Sequence, residues 1–214
     1  MKRRVIMLNN KLISSYIFII CVCLMLGMSA HCNAAALPTE QAVFAGGCFW
    51  GVDAVFKHVK GVTDVQSGYA GGKAATAHYE QVSNGNTGHA ESVRIRFNPN
   101  QITYQQLLQV FFTVAHDPTE LNRQGPDDGN QYRSVIFYTT IEQQKIAQSY
   151  IKALTASHKF DSPIVTQIVP LQQFYPAEQY HQNYCAIHPD NPYIIINDMP
   201  KLKRLRNQLP ALYQ

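Results

Sequence analysis

Six consecutive residues, Gly46-Gly47-Cys48-Phe49-Trp50-Gly51, place a thiol against two large aromatic rings with glycines on both sides. An apolar run (42–45) precedes them, and a segment with helical apolar spacing (52–59) follows, so Cys48 is expected where a buried strand becomes a helix. The free N–H groups and positive dipole end of a helix N-terminus favour a thiolate. The stretch therefore predicts a nucleophilic cysteine, with an inert buried cysteine at a helix start as the alternative.

The two aromatic residues after Cys48 are the next chemical feature. Phe49 and Trp50 occupy adjacent helical positions, about 100° apart around the axis, so they cannot both enter one core. At least one of them is expected to line a pocket beside the thiol. An aromatic wall suits a small apolar group such as a methyl.

The first 36 residues have the pattern of a secretory signal. A basic start is followed by an apolar run from Leu12 to Met28, and the small residues Ala34 and Ala36 fit an A-x-A cleavage site. We expect cleavage after Ala36 and a periplasmic or secreted domain over 37–214. An uncleaved membrane anchor is the alternative, because the apolar run is near the lower length limit for spanning.

Cleavage at that point changes the cysteine count and the net charge. All of the formal charge of +4 comes from the first 36 residues, and the remainder holds 14 basic and 14 acidic residues. Nothing in that balance calls for a nucleic-acid partner. Of five cysteines only Cys48 and Cys185 remain, and in an exported compartment they could be a static disulfide or a nucleophile and its partner.

The periodicity of the chain predicts a mixed α/β class, with a single sheet covered by helices. Thr140 and Gln143 form a potential capping box for one of the helices. Two polar stretches, 116–131 and 184–198, are long for loops and are therefore expected to be functional. We expect strands at 41–46, 62–72, 89–99, 132–140 and 163–171, and helices at 48–59, 103–115, 141–157, 177–184 and 199–209.

Four blocks carry a resemblance to a known family. GCFWG at 47–51 resembles the active-site signature of the A-class peptide methionine sulfoxide reductases. GNTGHAESV (85–93), HDPTELNRQGPDDGNQYRS (116–134) and FYPAEQYHQNY (174–184) support it in the same order. The resemblance covers essentially all of 41–204. It implies a reductase domain over 37–214 with an α+β plait, a ferredoxin-like core and a long C-terminal coil.

The resemblance also implies a role for several residues. A sulfoxide sulfur is electrophilic only if its oxygen is protonated as the thiolate attacks, so the site needs a nucleophile, an acid and hydrogen-bond donors. The implied roles are Cys48 as nucleophile, a partly buried Glu91 as acid, Tyr79 and Tyr132 as phenol donors, Asp127 as their acidic neighbour, and Phe49 and Trp50 as the cradle of the S-methyl group. Two of these roles have alternatives: Glu91 could lie at a solvent-facing strand position, and Asp128 could take the role of Asp127.

The histidines and the spacing of the cysteines point away from metal chemistry. His89, His116 and His181 are expected to be structural hydrogen-bonding residues. The cysteines and histidines show no close ligand spacing, so no metal site is predicted. No prosthetic cofactor is implied either.

The chain departs from the family at the second thiol. Many members carry a resolving cysteine just after an NPY sequence, but here Ile194 follows NPY (191–193) and no cysteine follows Cys185. Cys185 is therefore our candidate to condense with the Cys48 sulfenic acid, before a thioredoxin-like reductant restores both thiols. A one-cysteine cycle reduced by an external thiol, or Cys185 as buried filler, are the alternatives.

The implied substrates are oxidised proteins or free methionine sulfoxide, and we expect a monomer. Two other classes compete with a reductase. A cysteine hydrolase or thiol peroxidase would need a base histidine or an arginine beside Cys48. A non-enzymatic exported domain would use Cys48 and Cys185 as a permanent disulfide.

Overall fold

In a computed structural model of the chain, residues 38–214 are described, and the predicted signal segment at 1–36 lies outside them. Six strands form one mixed sheet with the order β7-β6-β1-β3-β2-β8, in which only the β6–β7 pair is parallel. Two further short strands form a separate hairpin. The strands are β1 (Glu40–Ala45), β2 (Val62–Ala70), β3 (Ala90–Phe97), β4 (Arg123–Gln124), β5 (Asp127–Asp128), β6 (Val135–Tyr138), β7 (Gln167–Pro170) and β8 (Phe174–Pro176).

Helices and helical turns connect and cover these strands. The α-helices are α1 (Phe49–Lys57), α2 (Tyr79–Val82), α3 (Tyr104–Val110), α4 (Ile141–Ala156), α5 (Tyr184–Ile187) and α6 (Met199–Gln208). Shorter 3₁₀ turns lie at Ala74–Thr76, Asn130–Tyr132 and Gln179–His181, and π-helical turns at Phe111–Ala115 and Ile194–Asp198. The predicted mixed α/β class is confirmed.

The main core lies between the sheet and the helices that cover it. Phe44 of β1 is fully buried and packs against Phe56 of α1 and Phe111 at the end of α3, with ring centroids 5.7 and 4.8 Å apart. These contacts hold α1 against the sheet, because large aromatic side chains contribute most of the apolar area that a core removes from water. The start of α1 is thereby fixed relative to β1 and β3.

Buried and solvent-facing side chains alternate along β3 only in its second half. Val93, Ile95 and Phe97 are buried as expected, and Arg96 is exposed. Ser92 on the opposite face is also buried, because a second, smaller apolar cluster that includes Val43, Ala45 and Phe137 covers that face near the beginning of β3. The N-terminal part of β3, which carries Glu91, is consequently enclosed on both sides.

The predicted capping box of Thr140 and Gln143 forms only in part. The Thr140 hydroxyl accepts a hydrogen bond from the Gln143 N–H, but the Gln143 side chain accepts from the N–H of Thr139 instead of returning to Thr140. A complete capping box forms at α3, where Thr103 and Gln106 bond reciprocally. Both caps satisfy backbone donors that a helix start leaves free.

The C-terminal part of the chain differs from the prediction. We expected a long coil with a helix at 177–184, but 177–198 is divided into a 3₁₀ turn, the short helix α5 and a π-helical turn, followed by the expected helix α6. The Gln182 side chain bonds the backbone N–H and C=O of Ser67, which fixes this segment to β2. Such long-range side-chain contacts cannot be seen in local sequence periodicity.

Within residues 38–214, none of the helices has the length and apolar character needed to cross a membrane.

Candidate active site

A strand, a glycine turn and a helix place Cys48 at the head of α1. Strand β1 ends at Ala45, and Gly47 has a φ of +91°, a conformation that side chains disfavour. A Cβ on Gly47 would also lie 2.5 Å from the Gln124 side chain. Cys48 is the N-cap of α1 and is only 8% exposed, so the predicted position of the thiol at a helix start agrees with the structure.

Glu91 of β3 lies directly beside the start of this helix. Its Oε2 accepts a hydrogen bond of 3.0 Å from the backbone N–H of Phe49, and the side chain is 2% exposed. Burial, together with the charge of Asp127, raises the pKa of Glu91 to about 8, although the Phe49 N–H acts in the opposite direction. The alternative of a solvent-facing Glu91 is therefore wrong, and its carboxyl holds a proton near neutral pH.

The Cys48 thiol differs from the prediction in its acidity. The helix N-terminus was expected to lower the pKa of this thiol, but burial raises it well above its usual value, and Glu91, Asp198 and Asp127 add to that rise. Only the backbone N–H of Trp50 favours the thiolate. The site therefore favours the thiol form of Cys48, because the cost of burying its negative charge exceeds the effect of the helix end.

The two aromatic residues take different positions, as their spacing predicts. Phe49 is buried in the core and packs against Tyr69, with centroids 5.9 Å apart. Trp50 is half-buried, and its ring stacks on Tyr184 at 3.7 Å with an interplanar angle of 6°. Its indole N–H donates to His181 Nδ1 at 3.2 Å, which fixes the rotation of the indole ring.

Two half-buried phenols lie within electrostatic reach of the thiol and of Glu91. The pKa of Tyr79 and that of Tyr132 are both raised, first by burial and then by the charge of Glu91, with Cys48 and Asp127 also contributing. Tyr79 begins α2, where its N–H donates to Glu178 at 2.9 Å. The structure thus brings together Cys48, Glu91 and the two predicted tyrosines.

Asp127 is the acidic residue of the β4–β5 hairpin that faces this cluster. It is half-buried, whereas Asp128 is exposed, so the geometry favours Asp127 over its competitor. The hydroxyl of Tyr193 donates a hydrogen bond to the Asp127 carboxylate. Burial raises the pKa of Asp127, while the bond from Tyr193 and the charge of Lys201 lower it.

Cys185 of α5 contacts the same helix start. Its Sγ lies 3.3 Å from the carbonyl oxygen of Trp50, two residues beyond Cys48. Both thiols are free, so this structure has no disulfide between them. Burial, together with Asp198 and Asp53, raises the pKa of the Cys185 thiol to about 12.

The histidines have the structural contacts expected of them. Both ring nitrogens of buried His116 are hydrogen-bonded, to the Phe111 carbonyl and the Ser134 hydroxyl. His89 contacts the backbone of Gly72 and Lys73. Among residues 38–214, no group of three or more His, Cys, Asp or Glu side chains is arranged to hold a metal ion.

Four residues at the site were not predicted from the sequence. Tyr193, Asp198, Lys201 and Glu178 come from the C-terminal part of the chain, and only Glu178 lies within one of the four blocks, FYPAEQYHQNY. Burial of Asp198 beside Lys201 has no local sequence signal. For Tyr193 the available signal was the NPY sequence itself, whose tyrosine contacts Asp127.

Comparisons with known proteins agree with this arrangement. The sequence profile of the family described as peptide methionine sulfoxide reductase matches residues 40–212. The chain is 53% identical to peptide methionine sulfoxide reductase MsrA 2 of Synechocystis over 82% of each chain. It is 55% identical to the protein of the same name from Mesorhizobium japonicum, over 84% of this chain and 92% of the relative.

Solved structures show the same likeness. Mxr1 from Saccharomyces cerevisiae in reduced form superposes with a TM-score of 0.65 at 33% identity, over 71% of this chain and 87% of that one. Methionine sulfoxide reductase A of Corynebacterium diphtheriae gives 0.62 at 34% identity, over 71% and 76%.

The chain belongs to the peptide methionine sulfoxide reductase family. The predicted enzyme class, a thiol-dependent oxidoreductase of the A class, is thereby confirmed, and the hydrolase, peroxidase and non-enzymatic alternatives are set aside.

Proposed function

We propose that this protein reduces the S epimer of methionine sulfoxide, free or within oxidised proteins, with Cys48 as nucleophile and Glu91 as acid. The observation that carries the proposal is the pairing of a thiol at the start of α1 with a buried carboxyl that is bonded to the next backbone N–H. A carboxyl with a pKa of about 8 can supply a proton at neutral pH.

The raised pKa of the thiol fits this reaction. As the Cys48 sulfur attacks the sulfoxide sulfur, Glu91 gives its proton to the sulfoxide oxygen and the proton lost by Cys48 replaces it on Glu91, so the buried site gains no net negative charge. Overall the sulfoxide S–O bond breaks, its sulfur is reduced to a thioether, and Cys48 is oxidised to a sulfenic acid. The phenols of Tyr79 and Tyr132 donate hydrogen bonds to the oxygen, and Asp127 holds its place beside them through Tyr193.

The aromatic pair would hold the substrate's methyl group. Phe49 is held in the core against Tyr69 and His181, and Trp50 is held by Tyr184 and His181. A rigid aromatic wall offers apolar contact area without ordering cost on binding.

Cys185 is the candidate resolving thiol, and a thioredoxin-like protein is the candidate reductant. Mxr1 from Saccharomyces cerevisiae has been solved in complex with Trx2. In this chain, the segment that carries Cys185 also exposes large apolar side chains, which would suit an apolar docking partner. They are Ile187, Ile195, Ile196 and Met199.

We also retain four predictions on organisation. The connection β1-α1-β2-β3-α3-β6 with the strand order β6-β1-β3-β2 supports a ferredoxin-like plait as the core. The expected monomer stays a prediction. Residues 37–214 form the catalytic domain, and 1–36 direct export to the periplasm or the exterior. N-terminal sequencing of the protein recovered outside the cytoplasm should begin at Leu37, and recovery of an intact Met1 would favour the membrane anchor.

The roles of the two thiols can be separated by substitution. We expect Cys48→Ser to lose at least about 99% of the reduction of a methionine-S-sulfoxide peptide, because a hydroxyl cannot replace the thiol as nucleophile. Cys185→Ser, the matched control, should still form one methionine per enzyme. Residual activity of Cys48→Ser above a tenth of the wild-type rate would overturn the assignment, as would a preference for the R epimer.

A further inference from the structure

The Cys185 thiol is held between the first turn of α1 and a buried ion pair. Its Sγ lies 3.3 Å from the Trp50 carbonyl oxygen and 3.8 Å from Asp198 Oδ2. The other carboxylate oxygen, Oδ1, bonds Lys201 Nζ at 3.0 Å. Asp198 is 1% exposed and Lys201 is 9% exposed, so the pair is shielded from water.

Gly51, the last residue of the GCFWG stretch, allows the carboxylate to come this close. A Cβ on Gly51 would lie 2.0 Å from Asp198 Oδ1 and 2.7 Å from Lys201 Nζ. The carboxylate therefore rests on the backbone of α1 only three residues beyond Cys48. One buried group thus contacts Cys185 and the helix that carries the nucleophile.

From this geometry we propose that Asp198 is the proton acceptor for Cys185 in the resolving step, and that Lys201 holds its carboxylate ionised and oriented. The inference rests on the proposed role of Cys185 as the resolving thiol. As the Cys185 sulfur attacks the Cys48 sulfenic acid, the S–H proton moves to Asp198 Oδ2. The S–S bond forms, the Cys48 S–O bond breaks, and the leaving hydroxide takes up the proton that Asp198 accepted, so water leaves and Asp198 returns to its carboxylate.

The charges around Cys185 explain why a local base is needed. Asp53 on α1 and Asp198 both face the thiol, and with burial they raise the pKa of Cys185, so free thiolate is scarce at neutral pH. Lys201 favours the thiolate, and Lys57 pairs with Asp53 at 2.8 Å. Transfer of the proton to Asp198 leaves the total charge of the cluster unchanged, so no additional buried charge is created.

The test is a single-turnover experiment on the full, reduced chain without any reductant. Wild type and Asp198→Asn are mixed with a methionine-S-sulfoxide peptide, and methionine is counted against time. Cys48 sulfenic acid is trapped with a dione reagent, and the Cys48–Cys185 disulfide is measured by peptide mapping. Asp190→Asn is the matched control, because Asp190 is an exposed acid of the same segment.

Because the charge of Asp198 also raises the pKa of Cys48, methionine formation by Asp198→Asn is the internal reference, and the two steps are compared as a ratio within each variant. Disulfide formation should slow roughly 10²-fold, the order of effect of a general base, and the sulfenic acid should accumulate. Asp190→Asn should match the wild type at both steps. A wild-type rate of disulfide formation in Asp198→Asn would overturn the inference and leave the proposed function intact.

Two further outcomes distinguish the resolving role of Cys185 from the proton-accepting role of Asp198. Absence of a Cys48–Cys185 disulfide in the wild type would overturn the resolving role of Cys185 itself. If Asp198→Asn also loses methionine formation, Lys201→Gln decides. Loss of the ammonium should raise the pKa of Asp198 and move the rise of disulfide formation to higher pH, while methionine formation keeps its own profile. If the pH dependence of disulfide formation does not change in Lys201→Gln, the inference is contradicted, because an ion pair with a purely structural role would not set that pH dependence.

Discussion

At the scale of single residues, the site works by keeping charge out of a buried space. Glu91 is protonated because it is buried, and Cys48 is a thiol for the same reason. The reaction then exchanges protons between groups and the sulfoxide without adding a charge. A helix N-terminus alone would have predicted a thiolate, and that expectation fails because desolvation outweighs the dipole.

The protonation of Glu91 has a kinetic consequence. In single turnover, the wild-type rate of methionine formation should fall as pH rises through about 8, because the acid loses its proton there. Glu91→Gln should be slower at neutral pH by roughly 10²–10⁴-fold, since an amide cannot donate a proton to the oxygen. It should also lack the decline near pH 8. The exposed neighbour of Tyr79 offers a control in Glu80→Gln, and a Glu91→Gln enzyme that keeps both rate and profile would remove Glu91 from the reaction.

At the scale of elements, the contact between α1 and the C-terminal segment fixes the geometry of both thiols. Gly51 faces Asp198 and Lys201 with no room for a side chain. Gly51→Ala would gain up to about 1 kcal/mol of helix propensity, but the displaced ion pair should cost more. We expect a net loss of about 1–3 kcal/mol in the free energy of unfolding, as for other overpacked cores.

A double-mutant cycle isolates that contact. In an Asp198→Ala background, the alanine at position 51 meets only the flexible end of Lys201, which can move aside, so the same substitution should be neutral or stabilising in denaturant unfolding. An equal loss in both backgrounds would show that Gly51 is required for some other reason.

The sequence predicted the elements that have strong periodicity and missed those held by distant contacts. Strands β1 and β3 and helices α1, α4 and α6 lie close to their predicted positions. Strand β8, helix α2 and the helical turns of 177–198 were missed, because each is too short to show a period and depends on partners far along the chain. The same distinction applies to the site, where Cys48 and Glu91 lie in contiguous motifs and Asp198 does not.

At the scale of the whole molecule, two buried groups should set the pH dependence of stability in opposite directions. The folded pKa of Glu91 is raised to about 8 from 4.5, so the stability it contributes is complete below pH 4.5 and is lost as pH rises through 8. The pKa of His116 is lowered by burial to about 4 from 6.5, so stability is lost as pH falls from 6.5 towards 4. We expect a broad maximum between these limits.

Substitution of Glu91 should remove its part of the pH dependence of stability. Relative to the wild type, Glu91→Gln should become more stable as pH rises from 5 to 8, by on the order of 2–4 kcal/mol. The difference should vanish near pH 4, where Glu91 is protonated in both folded and unfolded chains. Urea unfolding at several pH values measures this, and a difference that does not vary with pH would contradict a buried, protonated Glu91.

The stoichiometry of a reaction without reductant bears most directly on the proposed roles of the two thiols. The fully reduced chain is incubated with excess methionine-S-sulfoxide peptide, and methionine formed is compared with the state of Cys48 and Cys185 by peptide mapping. We expect about one methionine per enzyme and a disulfide that joins Cys48 to Cys185. One methionine with Cys185 still reduced would contradict its resolving role, and no methionine would contradict the assignment of Cys48 as the nucleophile.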